Sequence, residues 1–215
     1  MKLEKPEKEQ MEIVPMNPNT LIKLLKMLKE VRNLGEAFDD YLKDVMVAKQ
    51  CLETHVIHKE GEITKSAYYI SYGFMLAYYF TEAGDLRVVK ILGPGSIMAG
   101  HGFLNHKKSK YNLLIFKGSL VLEITYDQMQ QGYNQVPGMQ ELAMLTKESF
   151  EEEGLARNEM ISKTGEERVF AFYKEFPMLL PPGRYITDIY IASYLHLSLA
   201  TLRRVRTSLI EDGLL

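Results

Sequence analysis

Thr187-Asp-Ile-Tyr-Ile-Ala-Ser-Tyr-Leu-His-Leu-Ser-Leu-Ala-Thr-Leu-Arg-Arg-Val-Arg206 carries two helical patterns in twenty residues and with them the architecture of the C-terminal part of the chain. Apolar residues fall at Ile191, Leu195 and Leu197, then at Leu202, Val205 and Leu209. These are two short segments of 3.6-residue period, separated by a break too short for a loop. Ser198 stands where its hydroxyl can accept from an unpaired amide at the start of the second segment. Ala192 lies where the two helices would cross, and a small side chain permits close approach there. His196 takes the turn position that favours a positive φ; glycine adopts it most easily, and histidine tolerates it better than most residues. Two short helices so joined make a helix-turn-helix, whose second helix offers a polar face to the DNA major groove.

At about 100° per residue, Leu202, Val205 and Leu209 cluster inward. Ala200, Arg203, Arg204 and Thr207 then point outward, with Leu199 and Arg206 on the flanks. An arginine fork can bond guanine edges bidentately or clamp phosphates. The expected DNA-contacting set is therefore Thr187, Ser198, Leu199, Ala200, Thr201, Arg203, Arg204, Arg206 and Thr207. A solvated amphipathic helix ending a helical domain would show the same face, so the rest of the chain has to decide.

The 215 residues suffice for one large or two modest domains, and 46% hydrophobic with 25% charged residues is ordinary for a soluble globular protein. No apolar run approaches the roughly 20 residues that span a bilayer. The start, Met-Lys-Leu-Glu-Lys-Pro-Glu-Lys-Glu, is charged and lacks an apolar signal core, so a cytoplasmic location is expected. Cys51 is the sole cysteine, which leaves no internal disulfide and no thiolate metal cluster. The net charge of −2 requires any DNA-attracting potential to be local, as at Arg203 to Arg206. Two copies acting together would make up for so small a patch.

Residues 1–47 read as a charged, loose or strand-like lead with Pro6 and Pro15, followed by helical periodicity at Leu21, Leu24, Leu25, Leu28 and Val31. Gly35 interrupts it, and Phe38, Tyr41, Leu42 and Val45 suggest a second short helix. Residues 48–128 alternate short β-rich runs with glycine turns, which implies an antiparallel sandwich or roll. Glu82-Ala-Gly-Asp85 between Tyr78-Tyr-Phe80 and Arg87-Val-Val89 reads as a hairpin turn. Residues 129–162 read as a long connecting helix suited to dimerisation, from Pro137-Gly138 to about Ile161, with Met139, Leu142, Leu145, Phe150, Leu155, Ala156 and Met160 as apolar members. Its heptad is broken at Glu151-Glu-Glu153. Residues 163–215 hold one more helix, halted by Pro177, and then the helix-turn-helix. The expected fold class is α+β: an N-terminal antiparallel, jelly-roll-like β-roll, a long connecting helix and a C-terminal winged-helix-like unit lacking most of its wing.

This order resembles the Crp/Fnr transcription regulators. Lys59-Glu-Gly-Glu62 and Tyr68-Tyr-Ile-Ser-Tyr-Gly73 resemble their opening strands, and Gly93-Pro-Gly95-Ser-Ile resembles a glycine-rich segment of their cyclic-nucleotide-binding roll. Glu167-Arg168, Phe172 and Phe176-Pro177 are similar to the helix that leads into their DNA-binding domain, and Tyr190-Ile-Ala-Ser-Tyr-Leu195 to a helix-turn-helix signature. The resemblance covers roughly residues 34–215. It implies a homodimer on double-stranded DNA, at a palindromic operator read by paired recognition helices, with RNA polymerase as a further partner. It implies no enzymatic activity, no catalytic residue and no membrane association.

Three departures qualify it. Cyclic-nucleotide-binding members place an acidic residue after the glycines and an arginine-containing segment at the cyclic phosphate. Here Ser96-Ile97 and Lys110-Tyr-Asn112 occupy those places, so cAMP binding in the usual mode is not expected. The effector set by resemblance is Gly93, Gly95, Ser96, Ile97, Lys110, Tyr111 and Asn112, for an unidentified small-molecule effector. No cofactor or metal is implied. In the recognition helix, Leu199-Ala-Thr201 stands where members often carry Arg-Glu-Thr, and Gly213-Leu-Leu215 leaves no wing to contact the backbone.

Two other readings remain open. One is a ligand-sensing or partner-binding protein with a degenerate DNA module, motivated by Leu199-Ala200 and the missing wing. The other, remote, is a cupin-like metalloenzyme built on His55, His58, His101 and Asn105. His55 and His58 lie an odd number of residues apart on a strand, which turns them to opposite faces.

Overall fold

A computed structural model describes residues 10–99 and 102–215, with the side chains of 149–156 outside the description. Strand β1 (Met11–Ile13) precedes two helices, α1 (Pro18–Val31) and α2 (Glu36–Val45). Asn17 caps α1 by accepting from the Asn19 amide at 2.9 Å, and Gly35, at φ 80°, lets the chain turn into α2. The expected lead is thus one short strand and two helices.

Eight strands follow: β2 (Val47–Cys51), β3 (His55–His58), β4 (Ser66–Tyr72), β5 (Met75–Phe80), β6 (Leu86–Leu92), β7 (Ile97–Ala99), β8 (Asn112–Ile115) and β9 (Leu120–Thr125). They form two antiparallel sheets, ordered β1-β2-β9-β4-β7 and β3-β8-β5-β6. The expected β5–β6 hairpin is present, closed by Thr81 N–H donating to the Asp85 carbonyl at 3.0 Å. Gly73 is required where β4 passes into β5: φ is 83°, and a Cβ there would lie 2.3 Å from the Ser119 hydroxyl. That same hydroxyl ties down both the N–H and the C=O of Phe74.

Period-two alternation sorts the core into layers. Tyr68, Ile70, Met75, Ala77, Leu113 and Ile115 point between the sheets. Ala67, Tyr69, Leu122 and Ile124 point out of the first sheet and are covered by Leu21, Leu24, Phe38 and Leu42 of α1 and α2. Phe74, Leu76, Val88, Ile91, Leu114 and Phe116 point out of the second sheet and are covered by the C-terminal helices.

The long helix expected from Pro137-Gly138 to about Ile161 is present as one element, and a separate helix precedes it. Helix α3 (Tyr126–Gln135) opens on a capping box between Thr125 and Gln128, and α4 runs from Met139 to Ser162. Pro137 lacks an amide hydrogen and Gly138 is left-handed at φ 84°, so the helix cannot run through. Met139, Leu142 and Met160 of α4 are buried, while Phe150, Leu155, Ala156 and Glu151-Glu-Glu153 lie outside the described side chains. Helix α5 (Gly165–Glu175) has a Thr164/Glu167 capping box and stops before a 3₁₀ turn at Pro177–Leu179. Then come α6 (Asp188–Tyr194) and α7 (Leu199–Glu211). Among the described residues no strand follows α7. Nor is any described helix long and apolar enough to cross a membrane.

Candidate DNA-binding face and ligand cavity

Helices α6 and α7 meet across a turn of the expected kind. His196 is in the left-handed region at φ 53°, and Arg168 of α5 donates to the Leu195 carbonyl at 2.8 Å, fastening the end of α6. Ser198 caps α7 by accepting from the Thr201 amide at 3.0 Å. Ala192 is buried where the helices pass. Burial, followed by the charges of Arg157, Arg87 and Arg168, lowers the His196 pKa from its ordinary value, so the turn carries an uncharged imidazole at neutral pH.

The faces of α7 divide largely as the spacing requires. Leu202 and Leu209 are buried, and Val205 is half-buried. Ala200, Arg203, Arg204 and Thr207 are exposed on one side, with Leu199 and Thr201 half-buried at the start and Ser198 and Thr187 exposed beside them. Arg206 departs from expectation. It is 6% exposed and turned inward, with Nη1 donating to Asp188 Oδ1 at 2.6 Å and Nη2 to Asp188 Oδ2 at 3.0 Å. Nη1 also donates to the Tyr173 hydroxyl at 2.7 Å. Arg206 is therefore a core strut and not a DNA contact. Leu202, Arg206 and Leu209 stand at i, i+4 and i+7, a single helical stripe.

Asp188, absent from the expected set, organises this corner. It also accepts from Arg203 Nε at 3.0 Å, which fixes the Arg203 stem while the side chain stays 60% exposed. The two guanidinium groups hold the Asp188 carboxyl below the usual carboxylate range, Arg206 first. The charge that α7 offers to solvent is thus an anchored Arg203 and an exposed Arg204.

A second site lies under α1, α2 and α4, beside edge strand β7. A cavity of about 800 Å³ is lined on one side by Leu24, Leu42, Ala67, Tyr69 and Leu142, and on the other by Tyr68, Ala77, Met98 and Leu113. The first group belongs to the outer layer of the first sheet and the second mostly to the space between the sheets. Ile97, Met98 and Ala99 all line it, so the cavity bends around both faces of edge strand β7. Of the expected effector residues, Ile97 and Tyr111 reach this cavity. Gly93, Gly95, Ser96, Lys110 and Asn112 do not line it. A Cβ at Gly93 would meet Phe74 and Phe176, which places that turn against the C-terminal helices. The Ser96 carbonyl accepts from the Ile70 amide at 2.9 Å, and the Asn112 side chain accepts from the Glu60 amide at 3.1 Å. Both are structural. Lys110 is exposed.

The polar lining was not legible as a motif. Arg157 of α4 borders the cavity, and its Nη2 donates to the Val88 carbonyl at 3.2 Å and to the Tyr194 carbonyl at 2.9 Å. Its guanidinium lies 4.6 Å from the centre of the Tyr194 ring, and its buried Nε has no partner. One residue so touches the cavity, strand β6 and the end of α6. Ser193 of α6 adds a second tie, accepting from the Val88 amide at 3.0 Å and donating to the Leu86 carbonyl at 2.8 Å.

The described histidines do not form a centre. His55 Nδ1 is 2.6 Å from the Glu53 carbonyl, while buried His58 is 3.2 Å from the Thr64 hydroxyl. Among the described residues no three His, Cys, Asp or Glu side chains are placed to hold a metal, and His101 lies outside them. Burial pushes the Cys51 thiol up to about 11, which keeps it protonated and unreactive at neutral pH.

An antiparallel β-roll flanked by helices, with a helix-turn-helix docked on it, is the architecture of the Crp/Fnr regulators and of proteins with a cyclic-nucleotide-binding domain. Solved structures agree at the level of fold. FixK2 from Bradyrhizobium japonicum superposes with a TM-score of 0.64 at 16% identity, over 79% of this chain and 85% of that one. The c-di-GMP responsive global regulator CLP of Xanthomonas campestris gives 0.59 at 12% identity, over 82% and 92%. A cyclic nucleotide-binding domain from Methylobacillus flagellatus gives 0.57 at 10%, over 82% and 92%. No family model and no curated protein sequence matches the chain.

Proposed function

We infer that the protein is a DNA-binding transcription regulator of the Crp/Fnr type, a binding protein and not an enzyme. The observation that carries this reading is the division of α7: one stripe anchored in the core by Leu202, Arg206 and Leu209, the opposite side offering Ala200, Arg203, Arg204 and Thr207 to solvent. A helix capped by Ser198 at its entry and held through Asp188 is rigid enough to enter a major groove. Thr187, Ser198, Leu199 and Thr201 stand at the N-terminal side, where backbone phosphates and the first bases would lie.

Two copies would act together, since two exposed arginines give little salt-resistant affinity alone. The domain division at 47, 128 and 162 serves this reading, with α4 as the element that would pair protomers. The site is then a two-fold operator with half-sites one helical turn apart, the location cytoplasmic, and RNA polymerase a further partner. The roll would report an effector other than cAMP, because Ser96 and Lys110 do not line the cavity and its lining is mostly apolar.

Selection of bound fragments from a random DNA pool tests the reading. Enrichment of a palindromic site by the wild type, lost in Arg203→Ala/Arg204→Ala, is the expected result. No enriched site at low salt overturns it. A specific observation favours a second reading: Asp188 engages Arg203 and Arg206 both, leaving Arg204 the fewest commitments. A partner-binding protein with a degenerate DNA module would follow if no site is enriched and the fold is intact.

A further inference from the structure

We propose that the cavity around β7 is the binding site of a single-chain lipophilic carboxylate, whose acidic head meets Arg157. The volume of about 800 Å³ falls within the range of small-molecule sites, roughly 300–1,000 Å³. Its walls are aliphatic and aromatic over most of their length, from Leu24 and Leu42 beneath the helices to Met98 and Leu113 between the sheets. Such walls offer a nucleotide base or ribose few hydrogen-bond partners, and a buried polar group without a partner is costly. An alkyl chain has no such demand and gains from every apolar contact. It is also flexible enough to follow the bend around the edge strand.

The head group is fixed by charge. Arg157 borders the cavity, carries a buried Nε–H without an acceptor, and its hydrogen-bond partners among the described residues are the Val88 and Tyr194 carbonyls and the Tyr194 side chain, with no carboxylate. A guanidinium in that condition is a carboxylate receptor, since its fork offers two parallel donors and the pair strengthens when water is excluded. Lys107, exposed on the cavity lining, adds positive potential at the rim. Occupancy has a mechanical consequence. The Nη2 hydrogens that a carboxylate would attract now hold Val88 of β6 and Tyr194 of α6 together, so a ligand that draws Arg157 away leaves Ser193 as the nearest remaining tie between β6 and α6.

This coupling rests on the regulator reading, whereas binding itself does not, so binding is measured without DNA. Calorimetric titration with dodecanoate below its micelle-forming concentration, with dodecanol and cAMP as controls, is the experiment. Dodecanoate should bind the wild type, dodecanol about tenfold or more weakly, and cAMP not at all. Arg157→Met should lower dodecanoate affinity about tenfold and leave dodecanol unchanged. Leu142→Trp and Ala143→Phe, each confirmed folded by circular dichroism, should abolish binding of both chains by filling the cavity. Hydrogen exchange in α6 should rise with dodecanoate in the wild type and not in Arg157→Met. Absence of dodecanoate binding overturns the proposal. So does equal affinity for dodecanol, indifference to Arg157→Met, or binding that survives both filled variants.

Discussion

The two outer faces of the roll are covered in opposite ways. Over the first sheet lie α1, α2 and the start of α4, which are sequence neighbours of the roll and contribute chiefly apolar side chains. They leave a cavity open beneath them. Over the second sheet lies the helix-turn-helix unit, packed through Phe172, Tyr194, Ile191 and Leu195, with Phe172 stacking near Tyr173, Phe176 and Tyr194. That face adds directional ties from Ser193 and Arg157. The first face is closed chiefly by apolar contact, with a hydroxyl pair, Thr20 and Ser71 at 3.1 Å, between α1 and β4, and such a face can hold a void and admit a guest. A face closed with hydrogen bonds of defined geometry has one docked arrangement, which can be released as a unit.

The sharpest way to break this comparison is a pair of truncations. Phe172→Ala, in the tightly filled face, should cost about 3–5 kcal/mol, whereas Leu24→Ala, beside the existing cavity, should stay near the low end of the usual range, about 2 kcal/mol. Urea denaturation of both variants checks it; equal losses would show that the two faces are packed alike. Asp188→Ala should cost about 3–5 kcal/mol, because it leaves the buried Arg206 charge without its carboxylate. Arg204→Ala should move stability by less than about 0.5 kcal/mol. A small loss in Asp188→Ala would mean that Arg206 can reach solvent.

Ser193→Ala removes one tie and orphans the Val88 amide, an expected loss of about 1–3 kcal/mol, with faster hydrogen exchange in α6 than in α1. Uniform exchange would show that the face does not open separately. The smallest effect is in pH. Burial lowers the His58 pKa in strand β3 of the sheet that carries the helix-turn-helix. The unfolded chain then binds the proton more readily, so the contribution is full above about pH 6.5 and is lost as pH falls through the lowered value. The Glu62 charge and the backbone hydrogen bond at Glu62 oppose the shift only in part, and the Thr64 hydroxyl lies 3.2 Å from the ring. Thermal melts between pH 7.5 and 5 should show a shallower decline for His58→Gln than for the wild type; parallel curves would assign the acid sensitivity elsewhere.

Much of the fold was legible because local rules act within a few residues. The Ser198 cap, the positive φ of His196, the 82–85 hairpin and the end of α5 before Pro177 each depend on neighbours in sequence. The break at Val136–Gly138 was legible too, in Pro137-Gly138, although the expected boundary between 128 and 129 cuts through the helix that precedes it. The sites were less legible. Arg206 stood in the Leu202–Leu209 stripe, yet its partner Asp188 belongs to another helix, and only their meeting turns a basic residue inward. The glycine-rich segment pointed to an effector pocket, but Gly93 packs against Phe74 and Phe176 instead. Arg157 carried no motif signal at all.

Most elements, the antiparallel character of the roll and the polar face of α7 follow from residue order alone, because turn chemistry and hydrophobic period are local properties. Which charges remain for binding is settled by packing between distant segments. Whether an arginine is a strut, a tether or a free hand depends on what lies across from it, and Asp188, Val88 and Tyr194 reach Arg203, Arg206 and Arg157 only when distant parts of the chain are packed together.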